Sequence, residues 1–354
     1  MSHEIDDICR SFRKALLTAP DWRSGENPVA NIFGDVSGTL GGQQIGASQF
    51  LTGTSVSGYA LNYIYGDAFA MNGAAHGGDD VILGVYATIN NETIFGDAGV
   101  MSDFSIGGND QIIGAGETAW TNAVIYGDAN RMTRFAHGGD DMIIGSAATV
   151  FGDAQTMSEF TVGGNDYILG GAYKHDIWGD AQQLSGFAQG GDDVILGRSG
   201  YGGYSVYGDG SLSGNARGGN DVITIQDNSY LIVYGDGPLS GFAHGGDDVI
   251  VGGTNASSQI WGDGPATGRF TTGGSDTFVF GEGTKTNRIM DFEHGKDKID
   301  LTGFSNVHDF GHLNITHGDL SGYGDSTANS INLGNGAIVV VAHTELQASD
   351  FIFA

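Results

Sequence analysis

The chain of 354 residues carries one cysteine, Cys9, and four prolines. A single thiol excludes an intramolecular disulfide, a Cys-rich zinc site and an iron–sulfur cluster. Positive charge is also scarce: 14 Lys and Arg stand against 42 Asp and Glu, for a formal net charge of −28. With so little basic surface to meet phosphates, nucleic acid is not an expected partner. No run of about 20 apolar residues is present to span a membrane. The opening MSHEIDDICRSFRKALL lacks a long apolar stretch and a small-residue cleavage site, so no N-terminal secretory signal is read there. HExxH, GxSxG and P-loop motifs are missing as well. What abounds instead is glycine, 63 residues of it, with 40% hydrophobic residues. That composition does not describe an ordinary globular core, and the uncompensated charge implies an order conditional on a cation.

The glycines belong to a repeat. Gly163 to Ala181, GGNDYILGGAYKHDIWGDA, holds one copy, in which Ile168 and Ile177 stand nine residues apart between turn residues. The Ile168 position returns at Ile195, 27 residues on. Eight copies contain a GGxD step whose second glycine is Gly78, Gly108, Gly139, Gly164, Gly191, Gly219, Gly246 or Gly274. These steps end at Asp80, Asp110, Asp141, Asp166, Asp193, Asp221, Asp248 and Asp276. Eight aromatic-Gly-Asp steps, Tyr65-Gly66-Asp67 to Trp261-Gly262-Asp263, alternate with them and end at Asp67, Asp97, Asp128, Asp153, Asp180, Asp209, Asp236 and Asp263. From each of these aspartates to the next GGxD aspartate is always 12 or 13 residues, whereas the distance onward varies from 12 to 18. Insertions are therefore confined to one part of the coil, where solenoids carry their binding loops. Ahead of the eight copies, IFGDVSGTLGGQQIG reads as a degenerate one with Gln44 at the aspartate position.

Eight GGxD steps in register resemble the RTX family, calcium-binding proteins with the nonapeptide Gly-Gly-x-Gly-x-Asp-x-apolar-x. The resemblance implies an all-β fold, a parallel β-roll or β-helix solenoid, and multiple Ca2+ ions as cofactor. In the RTX pattern the aspartate two before the apolar residue is the side-chain ligand, which carries over onto Asp80 and its seven counterparts, with the glycines supplying backbone carbonyls. Asp67 and its counterparts are further candidates, with asx-type turn formation as their alternative role. In the second nonapeptide the equivalent positions are Asn62, Glu92, Ala123, Ala148, His175, Tyr204, Leu231 and Ser258, so that half has mostly lost its ligand. The resemblance also implies a turn of about 18 residues, which would make the unit one and a half turns and set successive loops on opposite edges. If instead one unit is one three-sided turn, the alternation Asp79, Asn109, Asp140, Asn165, Asp192, Asn220, Asp247, Ser275 separates like charges stacked at about 4.8 Å. Nine-residue spacing favours the two-sided roll.

Three segments follow: 1–30, an amphipathic capping segment with Ile5, Cys9, Phe12, Ala15 and Leu16 at helical spacing; 31–283, the repeat solenoid; and 284–354, a C-terminal cap. In the last, Asp297-Lys298-Ile299-Asp300-Leu301 and Asp350-Phe351-Ile352-Phe353 resemble the C-terminal export region of RTX proteins leaving by type I secretion, which implies an extracellular location. The aromatic row Tyr65 to Trp261 reads as packing between turns, as sugar-binding rings, or as a flat ordering face. The row Met71, Met101, Met132, Met157, Leu184, Leu212 and Leu239, with Phe104, Phe135, Phe160, Phe187 and Phe242 three later, reads as core. The expected function is that of a secreted calcium-binding protein at a surface, in a matrix or on a glycan. The alternative is an enzyme of the polysaccharide lyase or epimerase class, whose acid–base candidates are Lys174, His175 and Asp176 in a variable loop.

Overall fold

The computed structural model describes residues 29–54, 59–85, 89–114, 122–145, 148–171, 175–198, 203–318, 328–342 and 345–354. The expected capping segment before residue 29 lies outside them. The described chain is an all-β parallel solenoid, as the repeat implies. Its winding differs from the two-sided roll. Ile168 pairs with Ile195 one full unit later, in parallel, so each unit is one turn and not one and a half.

A turn has three strands. Tyr167–Leu169 belongs to an eleven-stranded sheet, Ile177–Trp178 to a fourteen-stranded sheet and Ala181–Leu184 to a nine-stranded sheet. A row of isolated parallel bridges, among them His137 to Val162 and Val162 to Gln189, joins the turns at the bend before each GGxD step. The strands are short because glycine turns bound them, yet each stacks on an equivalent strand above and below. Seven successive turns each add a core isoleucine to a continuous column: Ile82, Ile112, Ile143, Ile168, Ile195, Ile223 and Ile250 are all fully buried. Their parallel sheets need cover on the inner face, and the opposite sheets of the same tube supply it.

Register also re-reads three sequence assignments. The first turn runs Val29–Phe33, Val36–Leu40 and Phe50–Thr52, and Phe50 pairs with Val81. Gln49, not Gln44, therefore stands at the GGxD aspartate position, and its side chain donates to Asp35. The second-nonapeptide column is core: Asn62, Glu92, Ala123, Ala148, Tyr204, Leu231 and Ser258 are all buried. Its two polar members at the N-terminal end pair with each other, Asn62 Nδ2 donating to Glu92 Oε1 at 2.6 Å. The Met and Leu row is core as expected, packed with Ala68, Ala98 and their counterparts. Its accompanying phenylalanines are not. Phe104, Phe135, Phe160 and Phe187 are 42–61% exposed and stack on one another at 5.0–5.2 Å. They sit just past a left-handed residue, Asp103, Arg134, Glu159 or Gly186, that turns the chain outward.

The Tyr65 to Trp261 row packs between turns. Its rings stack at 4.6–5.5 Å along the whole column, so their faces are taken by one another rather than open to a sugar. Beyond the repeats the tube continues through Thr277–Gly281, Lys298–Gly303 and Phe351–Ile352, which pair in parallel. An antiparallel ribbon, Asn314–His317, Asn329–Gly334 and Ala337–Val341, closes the fourteen-stranded sheet.

The two rows three residues apart are separable by experiment. Met157→Ala, which opens a cavity in a fully buried column, is expected to destabilise the fold by about 2–5 kcal/mol. Phe160→Ala, which loses only exposed ring stacking, should cost no more than about 1.5 kcal/mol. Denaturant unfolding of both variants measures the difference, and equal losses would return the phenylalanines to the core.

Candidate metal centre

Two columns of aspartate run along one corner of the tube. All sixteen side chains, from Asp67 and Asp80 to Asp263 and Asp276, are buried. Column and partner are set by local geometry. The aromatic-Gly-Asp step ends a strand and bends the chain, so its aspartate points inward across the corner. Oδ1 of Asp180 there accepts the backbone N–H of Gly191 at 2.7 Å, and Asp128, Asp153, Asp209 and Asp236 accept from Gly139, Gly164, Gly219 and Gly246 in the same way at 2.8–2.9 Å. This is a strut between the two steps of one turn, not the asx-type turn weighed from sequence. The GGxD aspartates instead tie turn to turn. Asp166 N–H donates to Asp193 Oδ1 at 2.7 Å, and Asp193 N–H to Asp221 Oδ1 at 2.8 Å. The same link recurs from Gln49 N–H on Asp80 to Asp276 N–H on Asp297.

Each carboxylate thus spends one oxygen on the backbone. The other is left over. In fourteen of the sixteen, all but Asp67 and Asp263, Oδ2 is buried without a hydrogen-bond partner. The leftover oxygens converge on glycines. A methyl group on Gly179 would sit 2.0 Å from Asp193 Oδ2 and 1.8 Å from the Gly208 carbonyl oxygen, and one on Gly190 would sit 2.4 Å from Asp180 Oδ2. Glycine is required at both positions because oxygen occupies the place of its side chain. In the Asp67 column, moreover, successive carboxylates lie within hydrogen-bonding reach: Asp153 of Asp128 and Asp180, and Asp209 of Asp180 and Asp236.

Acceptor facing acceptor in a dry corner costs several kcal/mol per charge unless a cation or a proton intervenes. Burial pushes the Asp80 carboxyl up to about 7 and that of Asp276 up to about 9, with Asp263 adding repulsion to the second. Asp153 is raised by burial to about 6 even though Asp128, Asp180 and the N–H of Gly164 pull it down. Asp97, Asp128, Asp180 and Asp236 are held well above the usual carboxylate range, first by burial and then by the facing Asp110, Asp141, Asp193 and Asp248.

The donor set is all oxygen, which fits a hard cation such as calcium. Among the described residues no three His, Cys, Asp or Glu side chains gather around one point. A cation here would accordingly be held by one or two carboxylates with backbone carbonyls of the glycine steps, not by a cage of side chains. Three residues outside the sequence-derived set belong to the same ladder. Asp35 extends the Asp67 column into the first turn, where its Oδ2 accepts from Ala47 N–H at 2.8 Å. Asp297 continues the GGxD column. Asp291 accepts from Gly262 N–H at 2.8 Å and keeps a buried free Oδ2. Asp35 was legible as FGD; Asp291 and Asp297 lie where the repeat text has already changed.

The GGxD neighbours form a third, exposed ladder. Asn165 N–H and Nδ2 donate to Asp140 Oδ1, and Asp192 N–H donates to Asn165 Oδ1. The Asp/Asn alternation gives each acceptor a neutral neighbour at one-turn spacing, as the three-sided alternative requires. Two of the three loop candidates for catalysis, His175 and Asp176, are among the described residues. Lys174 lies outside the described residues, burial lowers the His175 pKa, and Asp176 Oδ1 accepts from Ser205 N–H at 2.8 Å as a link to the next turn. No helix among the described residues is long and apolar enough to cross a membrane.

The sign of the linkage follows from these shifts. Carboxyls with an unfolded pKa near 3.9 and folded values of about 6 to 9 stabilise the metal-free fold fully below pH ~4 and lose that contribution as pH rises through ~6–9. In buffer stripped of divalent cations, circular dichroism is therefore expected to show more β structure at pH 5 than at pH 8. The reverse order would show that the columns are not protonated in the folded state.

Comparison with curated proteins gives no match. A family model does match, over residues 85–352, most of the repeat array together with the C-terminal segment: its description is Peptidase M10 serralysin C terminal. On that match, and with the parallel solenoid and its repeated GGxD corner, the chain belongs to the serralysin C-terminal family of RTX-type repeats.

Proposed function

We propose that the two aspartate columns bind calcium along the corner they share, and that the chain is a secreted repeat protein whose folding is completed by that binding. The observation that carries this reading is the row of fourteen buried Oδ2 atoms without partners. A proton satisfies each of them only below its raised pKa, about 7 for Asp80 and about 9 for Asp276; above it a divalent cation is the remaining way to offset the charge. The ligands are Asp80 and the other GGxD aspartates, with Asp67 and its counterparts opposite them and carbonyls from the glycine steps. Exchange with extracellular calcium implies site affinities of roughly 10⁻⁴ to 10⁻³ M, coupled to folding. Export runs through residues 284–354. Outside the cell the protein acts at a surface or in a matrix or on a glycan, for which the exposed phenylalanine row offers an apolar contact line on an otherwise acidic molecule.

Asp193→Asn separates ligand from scaffold, because the amide retains the Oδ1 acceptor for Asp166 N–H and removes the charge. Two changes of opposite sign are expected by circular dichroism at pH 8: more β structure without calcium, and a calcium midpoint raised by about tenfold. Asp192→Asn, on the exposed ladder, should leave the midpoint within about twofold. Loss of structure without calcium in Asp193→Asn, or equal midpoints for the two variants, contradicts the assignment.

Deleting residues 284–354 removes Asp291, Asp297 and the strands that finish each long sheet. Both calcium-induced folding of the remaining repeats and export are expected to be lost, since a solenoid propagates order from a finished end. A truncated chain that folds with calcium as readily as the full one would refute this.

A further inference from the structure

The two ends of the tube are finished differently. At the C-terminal end Phe292, Leu301, Phe304, Val307 and Phe351 are buried in one apolar cluster with Ile331, Leu333 and Val339 of the closing ribbon. At the N-terminal end the strands Val29–Phe33, Val36–Leu40 and Phe50–Thr52 each stand last in their sheet among the described residues, which leaves three strand edges at one face of the first turn within that set. Apolar side chains accompany them. Ile45 is 74% exposed and Phe50 49%. Ile32 and Val36 are only partly buried, whereas their register partners one turn on, Ile64 and Ala68, are fully buried. The ring of Phe33 stacks on Tyr65 at 4.7 Å and begins the aromatic column.

Charge marks the same end. No Lys or Arg occurs between Arg23 and Arg131, a stretch with ten acidic residues from Asp35 to Asp128. Asp35, Asp67 and Asp80 lie in its first turns. The nearest fixed positive charges in sequence are Arg10, Arg13, Lys14 and Arg23. The segment bearing them joins the first turn directly at Val29, and its apolar residues Ile5, Cys9, Phe12 and Leu16 recur at helical spacing. As a helix, residues 5–16 would measure about 18 Å. The twelve residues from Leu17 to Pro28 reach up to about 40 Å when extended, enough to fold back across the end of the tube.

We propose that residues 1–28 dock on the first turn as its cover. The apolar stripe lies against Ile32, Phe33, Val36, Ile45 and Phe50, and Arg13, which flanks the stripe at helical spacing, faces the acidic end of the aspartate columns. A segment of this chain is the occupant favoured over a second copy, because another copy would bring a further −28 charge to an end that has no cation of its own.

Cys9, the one thiol in the chain, sits on the stripe and reports docking directly. In the intact protein with calcium, Cys9 is expected to react with a thiol reagent at least about tenfold more slowly than in a synthetic 1–28 peptide. Ile45→Asp with Phe50→Asp, and separately Arg13→Glu, should raise the rate to that of the peptide while circular dichroism shows the solenoid intact. Moderate salt should accelerate the reaction in the wild type. Removing residues 1–28 should yield concentration-dependent association by light scattering, from the uncovered strand edges. Peptide-like reactivity of Cys9 in the intact protein overturns the proposal, as does protection that survives both the Ile45/Phe50 and the Arg13 substitutions. These readouts are compared within folded protein, so they stand or fall apart from the identity of the bound cation.

Discussion

A carboxylate that gives one oxygen to the backbone and has no partner for the other is the contact on which this architecture depends. In the Asp180 type the bond is a strut across a single turn, and in the Asp193 type it is a link between turns. Together they define both the bend of the chain and the distance to the next coil. Yet the arrangement is complete only when the second oxygen is neutralised. The same atoms that specify the corner therefore make the fold conditional, since without a counter-charge the buried columns repel along their whole length.

The rest of the repeat accommodates that corner. Glycine stands where carboxylate and carbonyl oxygens fill the space of a side chain, as at Gly179. Away from the corner the columns are apolar and close-packed, an isoleucine column in one compartment and a methionine, leucine and alanine column in another. Aromatic rings stack at the bend between the fourteen- and nine-stranded sheets, where a side chain can follow the helical rise without meeting a facing sheet. These columns each keep one chemistry because each residue touches its own equivalent above and below. Charge is the exception, and the exposed Asp/Asn ladder shows the remedy: an amide can donate as well as accept, so alternation turns repulsion into hydrogen bonds.

Ends are the weak points of any such tube, because a repeat finishes nothing. The C-terminal segment leaves the repeat text but keeps its register. Asp297 takes the next place in the GGxD ladder and Ile299 the next place in the core column beside Phe278, before Phe351 closes it. The aspartate ladder thus outlasts the motif that announces it.

The sequence by itself determined the parallel all-β solenoid, the length of its unit and the two aspartate series, because identical residues at a fixed interval must stack when the chain coils. It also placed the insertions in one part of the coil. What it misjudged was how many sides one interval makes, since nine-residue spacing of apolar positions, which favours a turn of two strands, is met by a turn of three as well. Only the pairing of Ile168 with Ile195 settles that. Tertiary structure likewise decided which of two rows three residues apart is core. Met157 and Phe160 are both large and apolar, and a left-handed residue at Glu159 sends one inward and the other out. Asp291 was beyond reach for the same reason: its place among the carboxylates comes from a strand that pairs with the last repeat, and pairing across a change of motif is a property of the folded tube rather than of the text.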